Sequence, residues 1–195
     1  MSVKLIYNTP LDMITSGIRV CWQSQAKSDN GGPADLKLID RIANKMKHSS
    51  VLRHSLYVFD ITASTKTLLA FTRHGAGVEF GVESTRYTTS KQGLSISFTP
   101  TGNETIDNYN NQHLDNIQEC IKQGFADDDI AMMLPQAYNY RWQVSMNAQA
   151  IQHFLKLRTS PGAHWDIRNV AFAIYYQLPK SHRFLFEDSL YKKEQ

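Results

Sequence analysis

Arg73-His74-Gly75, followed by Glu83-Ser84-Thr85-Arg86-Tyr87, is the stretch of sequence that says most about this chain. It concentrates guanidinium, imidazole and hydroxyl groups in an otherwise ordinary sequence. Ser84, Thr85 and Arg86 are chemically suited to a monophosphate, because hydroxyl and guanidinium groups both donate hydrogen bonds to phosphate oxygens. A surface loop has a similar composition, and a single histidine such as His74 is more often structural than catalytic. Both alternatives stay open at this point.

Around this stretch, hydrophobic periodicity predicts two helices and two strands. Residues 33–47 carry apolar side chains at helical spacing, and Gly31-Gly32-Pro33 is a start signal. Residues 55–62 alternate in a way that is typical of a strand with much of both faces covered. Residues 68–71 predict a short helix just before Arg73, and Leu94, Ile96 and Phe98 predict a second strand.

The second half of the chain reads as a turn followed by helices. Residues 100–104 form a turn by their Pro, Gly and Asn content, and residues 106–121 predict a helix that ends near Gly124. The aspartates at 127–129 precede an apolar run, as acids do at a helix N-terminus. Residues 142–157 are the strongest helical segment, and a further helical run follows at 165–178. Because no repeat or boundary is visible, we expect residues 1–195 to form a single α+β domain.

Asn147 and Arg158 are placed so that one helix can present both. They are eleven residues apart, which returns them to nearly the same side of a continuous helix, roughly 16 Å apart along its axis. Arginine can hold a phosphate or the carbonyl edge of a base through two parallel hydrogen bonds. The alternative is that Arg158 only ends the helix and pairs with its last carbonyl groups, and this alternative stays open.

Composition and charge exclude several classes of protein. With 195 residues, of which 42% are hydrophobic and 20% charged, the chain can bury one sizeable core. No apolar run approaches the roughly 20 residues that span a bilayer, and the N-terminus lacks the apolar segment of a secretory signal. We therefore expect a cytoplasmic protein that has no membrane partner. A net charge of +3, spread over scattered basic residues, favours a small anionic ligand over a nucleic acid polymer.

The two cysteines indicate neither a metal site nor a disulfide. Cys21 and Cys120 lie far apart and lack the spacing of metal ligands. We expect both to be buried as small hydrophobic residues in a reducing compartment. The sequence also lacks a phosphate-binding glycine loop and a dinucleotide glycine fingerprint.

A series of short motifs runs in a fixed order over nearly the whole chain. They are Thr9-Pro10-Leu11, Arg19-Val20-Cys21-Trp22-Gln23-Ser24, Gly31-Gly32, Lys47-His48-Ser49-Ser50 with His54, Ser84-Thr85-Arg86-Tyr87-Thr88, Leu134-Pro135, Arg141, Asn147-Ala148, Phe154-Leu155, Leu157-Arg158 and Phe184-Leu185-Phe186-Glu187-Asp188. In this order they resemble the shorter bacterial branch of the flavin-dependent thymidylate synthases. Each match is short, but the shared order is specific.

The resemblance implies a fold, a reaction and an assembly. The implied fold is an antiparallel sheet flanked by helices, and the implied assembly is a homotetramer whose active sites combine several subunits. In this family a reduced flavin (FAD) mediates transfer of a one-carbon unit from methylenetetrahydrofolate to C5 of dUMP, with NADPH as the reductant. The implied partner is therefore a deoxypyrimidine monophosphate. No cysteine nucleophile is required, which agrees with the absence of a recognisable one.

The resemblance also implies roles for individual residues. On the nucleotide side, Ser84, Thr85 and Arg86 would bind the phosphate together with Arg141 of another subunit. Arg158 would face the pyrimidine as the catalytic residue, where a cation stabilises charge that develops on the ring. The expected residues on the flavin side are Ser50, Arg73, His74, Asn147 and His153.

Departures from the family pattern concentrate on the flavin side. The family has arginine where this chain has Gly75, glutamate where it has Arg53 and arginine where it has Gln149. It also has serine, asparagine and histidine at Ala150, His153 and Gly162, and one residue fewer between Gly75 and Ser84. Arg53, His153 and His164 are candidates to compensate in a rearranged pocket.

Three functions follow from this pattern. The first is a divergent thymidylate synthase that works with flavin. The second is a paralogue that modifies dCMP or dUMP by hydroxymethylation, a transfer that needs no net reduction of the carbon and would tolerate an altered flavin site. The third is a non-catalytic relative that binds the nucleotide and has lost the redox step.

Overall fold

A four-stranded antiparallel sheet forms the centre of the fold. The computed structural model of the chain describes residues 1–92 and 95–192. The strands are β1 (Ser2–Asn8), β2 (Tyr57–Ser64), β3 (Val78–Val82) and β4 (Asn139–Met146), in the order β1-β2-β4-β3. All three strand pairs are antiparallel. The α+β class and the antiparallel sheet predicted from the sequence are therefore confirmed.

Eight α-helices flank the sheet in the described part of the chain. They are α1 (Asp12–Cys21), α2 (Pro33–Ile39), α3 (Thr65–Phe71), α4 (Thr85–Gln92), α5 (Glu104–Lys122), α6 (Asp127–Ala131), α7 (Ala148–Arg158) and α8 (Trp165–Gln177). A π-helical turn, Asp40–Lys45, continues α2. A 3₁₀ segment, Ser49–His54, leads into β2. The helices predicted near residues 33–47, 68–71, 106–121 and 165–178 are confirmed.

The strand predictions were less successful. Residues 142–146, which were assigned to a helix, belong to β4, where Trp142, Val144 and Met146 alternate on the buried face. The predicted helix therefore begins only after Asn147. Of the second predicted strand, Leu94 lies outside the described residues, and Phe98 forms only an isolated bridge with Tyr138. The sequence interpretation missed β1 and β3.

Helices pack on one face of the sheet, whereas the described residues cover the opposite face of β2 only in part. Tyr57, Phe59 and Ile61 of β2 are fully buried, and α3, α7 and α8 pack on that side in one hydrophobic cluster. The opposite face of β2, which includes Val58 and Asp60, is only half-buried. The strand thus has one fully covered face and one half-covered face, whereas its sequence predicted that much of both faces is covered. The half-buried face of β2 can therefore accommodate charged side chains next to the sheet.

A second, smaller hydrophobic cluster lies under α5 and α6. Its buried members are Ile96, Ile117, Ile130 and Tyr138. Tyr140 of β4 packs against both clusters. Because α4 also packs on α6, the segment that carries Ser84 and Arg86 rests mainly on this second cluster. The single domain expected for residues 1–195 stays a prediction.

The environments of the cysteines differ from expectation. Cys21 is exposed at the end of α1, and its thiol donates a weak hydrogen bond to the Gly17 carbonyl at 3.6 Å. Cys120 is half-buried beside the second cluster. The prediction that both are buried is therefore wrong, because none of the described residues covers the outer side of α1 at Cys21. Within the described ranges, no helix has both the length and the apolar character needed to cross a bilayer.

Candidate active site

Arg158, the last residue of α7, contacts the loop that follows α3. Its Nε donates a hydrogen bond to His74 Nε2 at 2.9 Å, and its Nη2 donates to the Ala70 carbonyl at 3.0 Å. Ala70 lies in the last turn of α3, where carbonyl groups lack partners within the helix. Arg158 therefore does bind a helix C-terminus, but that of α3 rather than that of its own helix. Nη1 has no hydrogen-bond partner within residues 1–92 and 95–192.

His74 is held in its neutral form. The ring is 6% exposed and packs edge-to-face against Phe71 and Phe154. Burial, and then the charges of Arg158 and His153, lower the pKa of His74 from 6.5 to about 4. A neutral imidazole has one acceptor nitrogen, so Nε2 can accept from Arg158 only if the ring proton is on Nδ1. His74 thus orients a guanidinium and adds no second positive charge.

Arg73 lies next to this pair and affects its electrostatics. The side chain is exposed, and its charge, after the larger effect of burial, lowers the pKa of the Arg158 guanidinium. The structure therefore brings Arg73, His74 and Arg158 together, although the resemblance implied the flavin side for Arg73 and His74 and the pyrimidine side for Arg158. His153, one turn before Leu157 on α7, joins them, with its ring 5.7 Å from that of His74.

Asn147 begins α7 and fixes the loop before β3. Its Oδ1 accepts a hydrogen bond from the Ala150 backbone N–H at 2.8 Å, which caps the helix. Its own N–H donates to the Gly77 carbonyl at 3.1 Å. Gly77 has φ +74°, and a Cβ there would lie 2.2 Å from Asn147 Nδ2. Position 77 therefore requires glycine for two reasons. Another residue would strain the left-handed backbone, and its Cβ would clash with Asn147.

Two of the departures from the family pattern contact each other. Arg53 Nε, on the Ser49–His54 segment, donates to Gln149 Oε1 at 2.6 Å, and Gln149 Nε2 donates to Ser49 Oγ at 2.8 Å. Ser50, expected on the flavin side, is exposed in the same segment. These bonds tie the segment to the first turn of α7.

A polar cleft of about 390 Å³ lies beside this contact. Its lining includes Lys47, Ser49, Gln149, His153, Lys156 and Asp188. Gln149, His153 and Lys156 share one face of α7, because they are four and three residues apart. Asp188, the carboxylate in this set, already pairs with Lys192 at 2.9 Å. The cleft is therefore rich in hydrogen-bond donors and positively charged.

The proposed phosphate-binding residues lie at the start of α4. Ser84 precedes the helix, Thr85 begins it, and Arg86 forms an exposed ion pair with Asp128 of α6 at 3.1 Å. The segment is thus a helix N-terminus rather than the loop considered from sequence, and such an end attracts anions. An exposed ion pair contributes at most about 1 kcal/mol, so a phosphate can displace Asp128.

Arg141 lies beside this segment in the same chain. Its guanidinium makes hydrogen bonds of 2.6–3.2 Å to both carboxylate oxygens of Asp60 on the half-buried face of the sheet. These bonds, together with the opposite charge, lower the pKa of Asp60 and raise the pKa of Arg141. The Glu83 backbone N–H also donates to the Arg141 carbonyl at 3.1 Å. The pairing of β3 with β4 therefore places Arg141 next to the segment that carries Ser84, whereas no described contact joins either residue to Arg158.

Sequence reasoning missed several partners of the predicted residues. These are Ala70, Asp60, Asp128, Lys47 and Lys156. Ala70 acts only through its backbone, so no sequence signal identifies it. Lys47 was visible in the Lys47-His48-Ser49-Ser50 motif, but its neighbour Lys156 comes into the cleft only through the packing of α7.

Comparison with known proteins is consistent with this geometry. The family model described as "Thymidylate synthase complementing protein" matches residues 4–182. Flavin-dependent thymidylate synthases from Campylobacter jejuni and Wolinella succinogenes are each 34% identical to this chain, with 98% and 95% of the chain and 99% and 97% of the relatives covered. A crystal structure of the Helicobacter pylori enzyme complexed with FAD and dUMP is similar, with a TM-score of 0.89, 32% identity and coverage of 98% of this chain and 100% of that one.

Family model, relatives and fold agree on one class of enzyme, the thymidylate synthases. The chain belongs to the flavin-dependent family of that class. The resemblance seen in the sequence motifs, the fold that it implied and the expectation of an enzyme of this kind are confirmed. The roles of individual residues stay predictions, and they form part of the proposal below.

Proposed function

We propose that this chain catalyses the flavin-dependent methylation of dUMP to dTMP, with methylenetetrahydrofolate as the one-carbon donor and NADPH as the reductant. The observation that carries the proposal is the likeness, over nearly the whole length, to an enzyme whose crystal structure contains FAD and dUMP. The local geometry supports it at both ends of the site.

At the nucleotide end, the start of α4 is suited to the phosphate of dUMP. Ser84 and Thr85 supply hydroxyl donors, Arg86 supplies a guanidinium, and the N-terminus of the helix adds its positive dipole. Arg141, whose exposed guanidinium pairs with Asp60, completes the set. We assign it to the site of a neighbouring subunit, in keeping with the homotetramer that we propose.

At the pyrimidine end, Arg158 stabilises negative charge on the base. The contacts with His74 and Ala70 hold the guanidinium from one side. The remaining Nη1 donors are available to a pyrimidine carbonyl, where a fixed cation stabilises charge developing in the transition state. Because His74 is neutral, its ring accepts a hydrogen bond from Arg158. It carries no positive charge that would compete with Arg158 for the negative charge on the base.

The residues on the flavin side fit an anionic dinucleotide. Lys47, His153 and Lys156 give the cleft positively charged or donor side chains. A Cβ at Gly75 would meet no heavy atom within 4 Å among the described residues, so this departure leaves space rather than filling it. When bound, the flavin supplies the redox chemistry. Arg73, Ser50 and Asn147 are assigned to its binding along with these residues.

The proposal is tested by product analysis. Purified protein is supplied with dUMP, methylenetetrahydrofolate, FAD and NADPH, and the nucleotide product is identified by mass spectrometry. We expect dTMP, and none when either FAD or the folate is omitted. A hydroxymethylated nucleotide, or a product formed only from dCMP, would instead favour the paralogue considered from the sequence. Binding of dUMP without any product would favour the non-catalytic relative.

Assembly is tested by mixing inactive variants. Arg86→Ala and Arg141→Ala proteins are combined under conditions that allow subunit exchange, and activity is expected to return because some hybrid sites contain both native arginines. A monomer in light scattering at the assay concentration would contradict the homotetramer. A cytoplasmic location stays a prediction from the sequence.

A further inference from the structure

We propose that Arg53 binds the diphosphate of the flavin dinucleotide in this chain, with Gln149 and Ser49 fixing its position. This inference rests on the proposed function. It concerns a residue that departs from the family pattern, and it explains how the cofactor is held where the expected arginines at Gly75 and Gln149 are absent.

The geometry of Arg53 leaves most of its guanidinium available. Only Nε is engaged, in the 2.6 Å bond to Gln149. Neither Nη group has a partner in the described portion of the chain, and no carboxylate there pairs with Arg53. The two Nη groups together present a donor edge, which is the geometry that binds a phosphate through two parallel hydrogen bonds.

Arg53 is held by Gln149, which is itself held by Ser49. Gln149 accepts from Arg53 and donates to Ser49, so the three side chains form a continuous hydrogen-bonded series. Gln149 is half-buried on α7, while Ser49 belongs to the same 3₁₀ segment as Arg53. A guanidinium tied at Nε retains less conformational freedom, and so loses less entropy when it binds a ligand.

The surroundings favour an anion with more than one charge. Lys47 and Lys156 line the cleft that Gln149 also lines, and Asp188, the carboxylate there, is already paired with Lys192. A diphosphate placed between Arg53 and these lysines would meet at least three cations. A neutral ligand would gain little from the same arrangement.

The chain also offers a structural reason for the paired departures. Where the resemblance implies glutamate and arginine, this chain has Arg53 and Gln149, and these two side chains are in direct contact. The guanidinium is therefore supplied by the 3₁₀ segment instead of α7, and it contacts Gln149, which lines the same cleft. A second arginine at Gln149 would place like charges together, which explains why both positions differ at once.

The test is a comparison of cofactor affinities that does not depend on turnover. FAD and riboflavin, which lacks phosphate, are titrated by flavin fluorescence against wild type, Arg53→Gln and the double variant Arg53→Glu with Gln149→Arg. We expect Arg53→Gln to weaken FAD about tenfold or more, because a charge-assisted contact is lost. Riboflavin affinity should not change. The double variant returns a guanidinium to the cleft, and should recover most of the FAD affinity.

Lys122→Gln is the control, since it removes one exposed positive charge from α5, beside the second cluster. It should leave FAD affinity unchanged. If wild type binds FAD tightly and Arg53→Gln binds it equally well, Arg53 has no such role, although the proposed function stands. If Arg53→Gln weakens FAD and riboflavin equally, the phosphate assignment is wrong. A wild type that binds dUMP but not FAD would overturn both this inference and the proposed function.

Discussion

The buried contact between His74 and Arg158 predicts a loss of stability in mild acid. The folded state holds His74 neutral, because burial and then the charges of Arg158 and His153 lower its pKa to about 4, against 6.5 in an exposed histidine. Between these two values, the unfolded chain binds a proton that the folded chain does not. Stability is therefore fully present above pH 6.5, and it falls as the pH drops from 6.5 to 4.

The size of this effect follows from the two pKa values. Relative to pH 8, linkage gives a loss of about 2 kcal/mol in the free energy of unfolding at pH 5 and of about 3 kcal/mol at pH 4. Because the residue is only 6% exposed, solvent screening reduces this figure only in part. Burial also lowers the pKa of His182 and adds to the loss. Asp35 forms a buried ion pair with Arg19 at 2.5 Å. Burial raises the pKa of this carboxyl, but hydrogen bonds from Ser28, the Gly31 backbone and Arg19 outweigh burial and lower the pKa to about 2, so Asp35 contributes only below pH 3.8.

Urea unfolding at pH 8 and pH 5, at one protein concentration and without nucleotide, measures the effect. In His74→Gln the side-chain amide can still accept from Arg158 but does not titrate. The difference between the two pH values should therefore shrink by about 2 kcal/mol in this variant. His48→Gln, at an exposed site, should behave as wild type. An unchanged pH difference in His74→Gln would show that the imidazole is not held neutral by its surroundings.

Three further outcomes are expected. Arg86→Ala should weaken dUMP far more than deoxyuridine in calorimetry, because it removes a phosphate contact, and equal effects on both ligands would remove Arg86 from that role. Asn147→Ala should lower the free energy of unfolding by about 1 kcal/mol, because the cap of α7 is lost. Asn147→Asp should retain the cap and the stability. Identical melting temperatures for the two variants would contradict the capping assignment. Asp35→Ala should destabilise by about 3–5 kcal/mol in urea, because Arg19 would stay buried without its charge partner, and a loss below about 1 kcal/mol would argue against burial of the pair.

Local periodicity predicted the helices better than the strands. Apolar residues recur every three to four positions over residues 165–178, and α8 covers nearly all of this run because so long a repeat fits few patterns other than a helix. Trp142 and Met146 are four residues apart, which suits a helix, but the alternation of Trp142, Val144 and Met146 fits a strand equally well. Pairing with β2 and β3 decides between the two, and such pairing is not visible in one short segment.

In the candidate site, the sequence identified the residues but not the contacts between them. Arg158 and His74 were both identified from motifs, but they are 84 positions apart and their contact depends on how α7 packs against α3. Arg53 and Gln149 are separated by 96 positions, and each looked like an isolated departure. Composition and order thus indicated the residue types of the site. The hydrogen bonds that give each residue its orientation required the tertiary fold.

The second hydrophobic cluster has a consequence for how such an enzyme can evolve. Ser84 and Arg86, which we assign to the nucleotide phosphate, lie at the start of α4, and α4 packs on α6. Asn147 and His153, which we assign to the flavin, instead belong to α7 and its cap in the main core. A substitution that changes the packing under one group of residues therefore has little effect on the packing under the other group. Selection can retain the recognition of a nucleotide while the cofactor pocket drifts, and this is the distribution of differences that the chain displays.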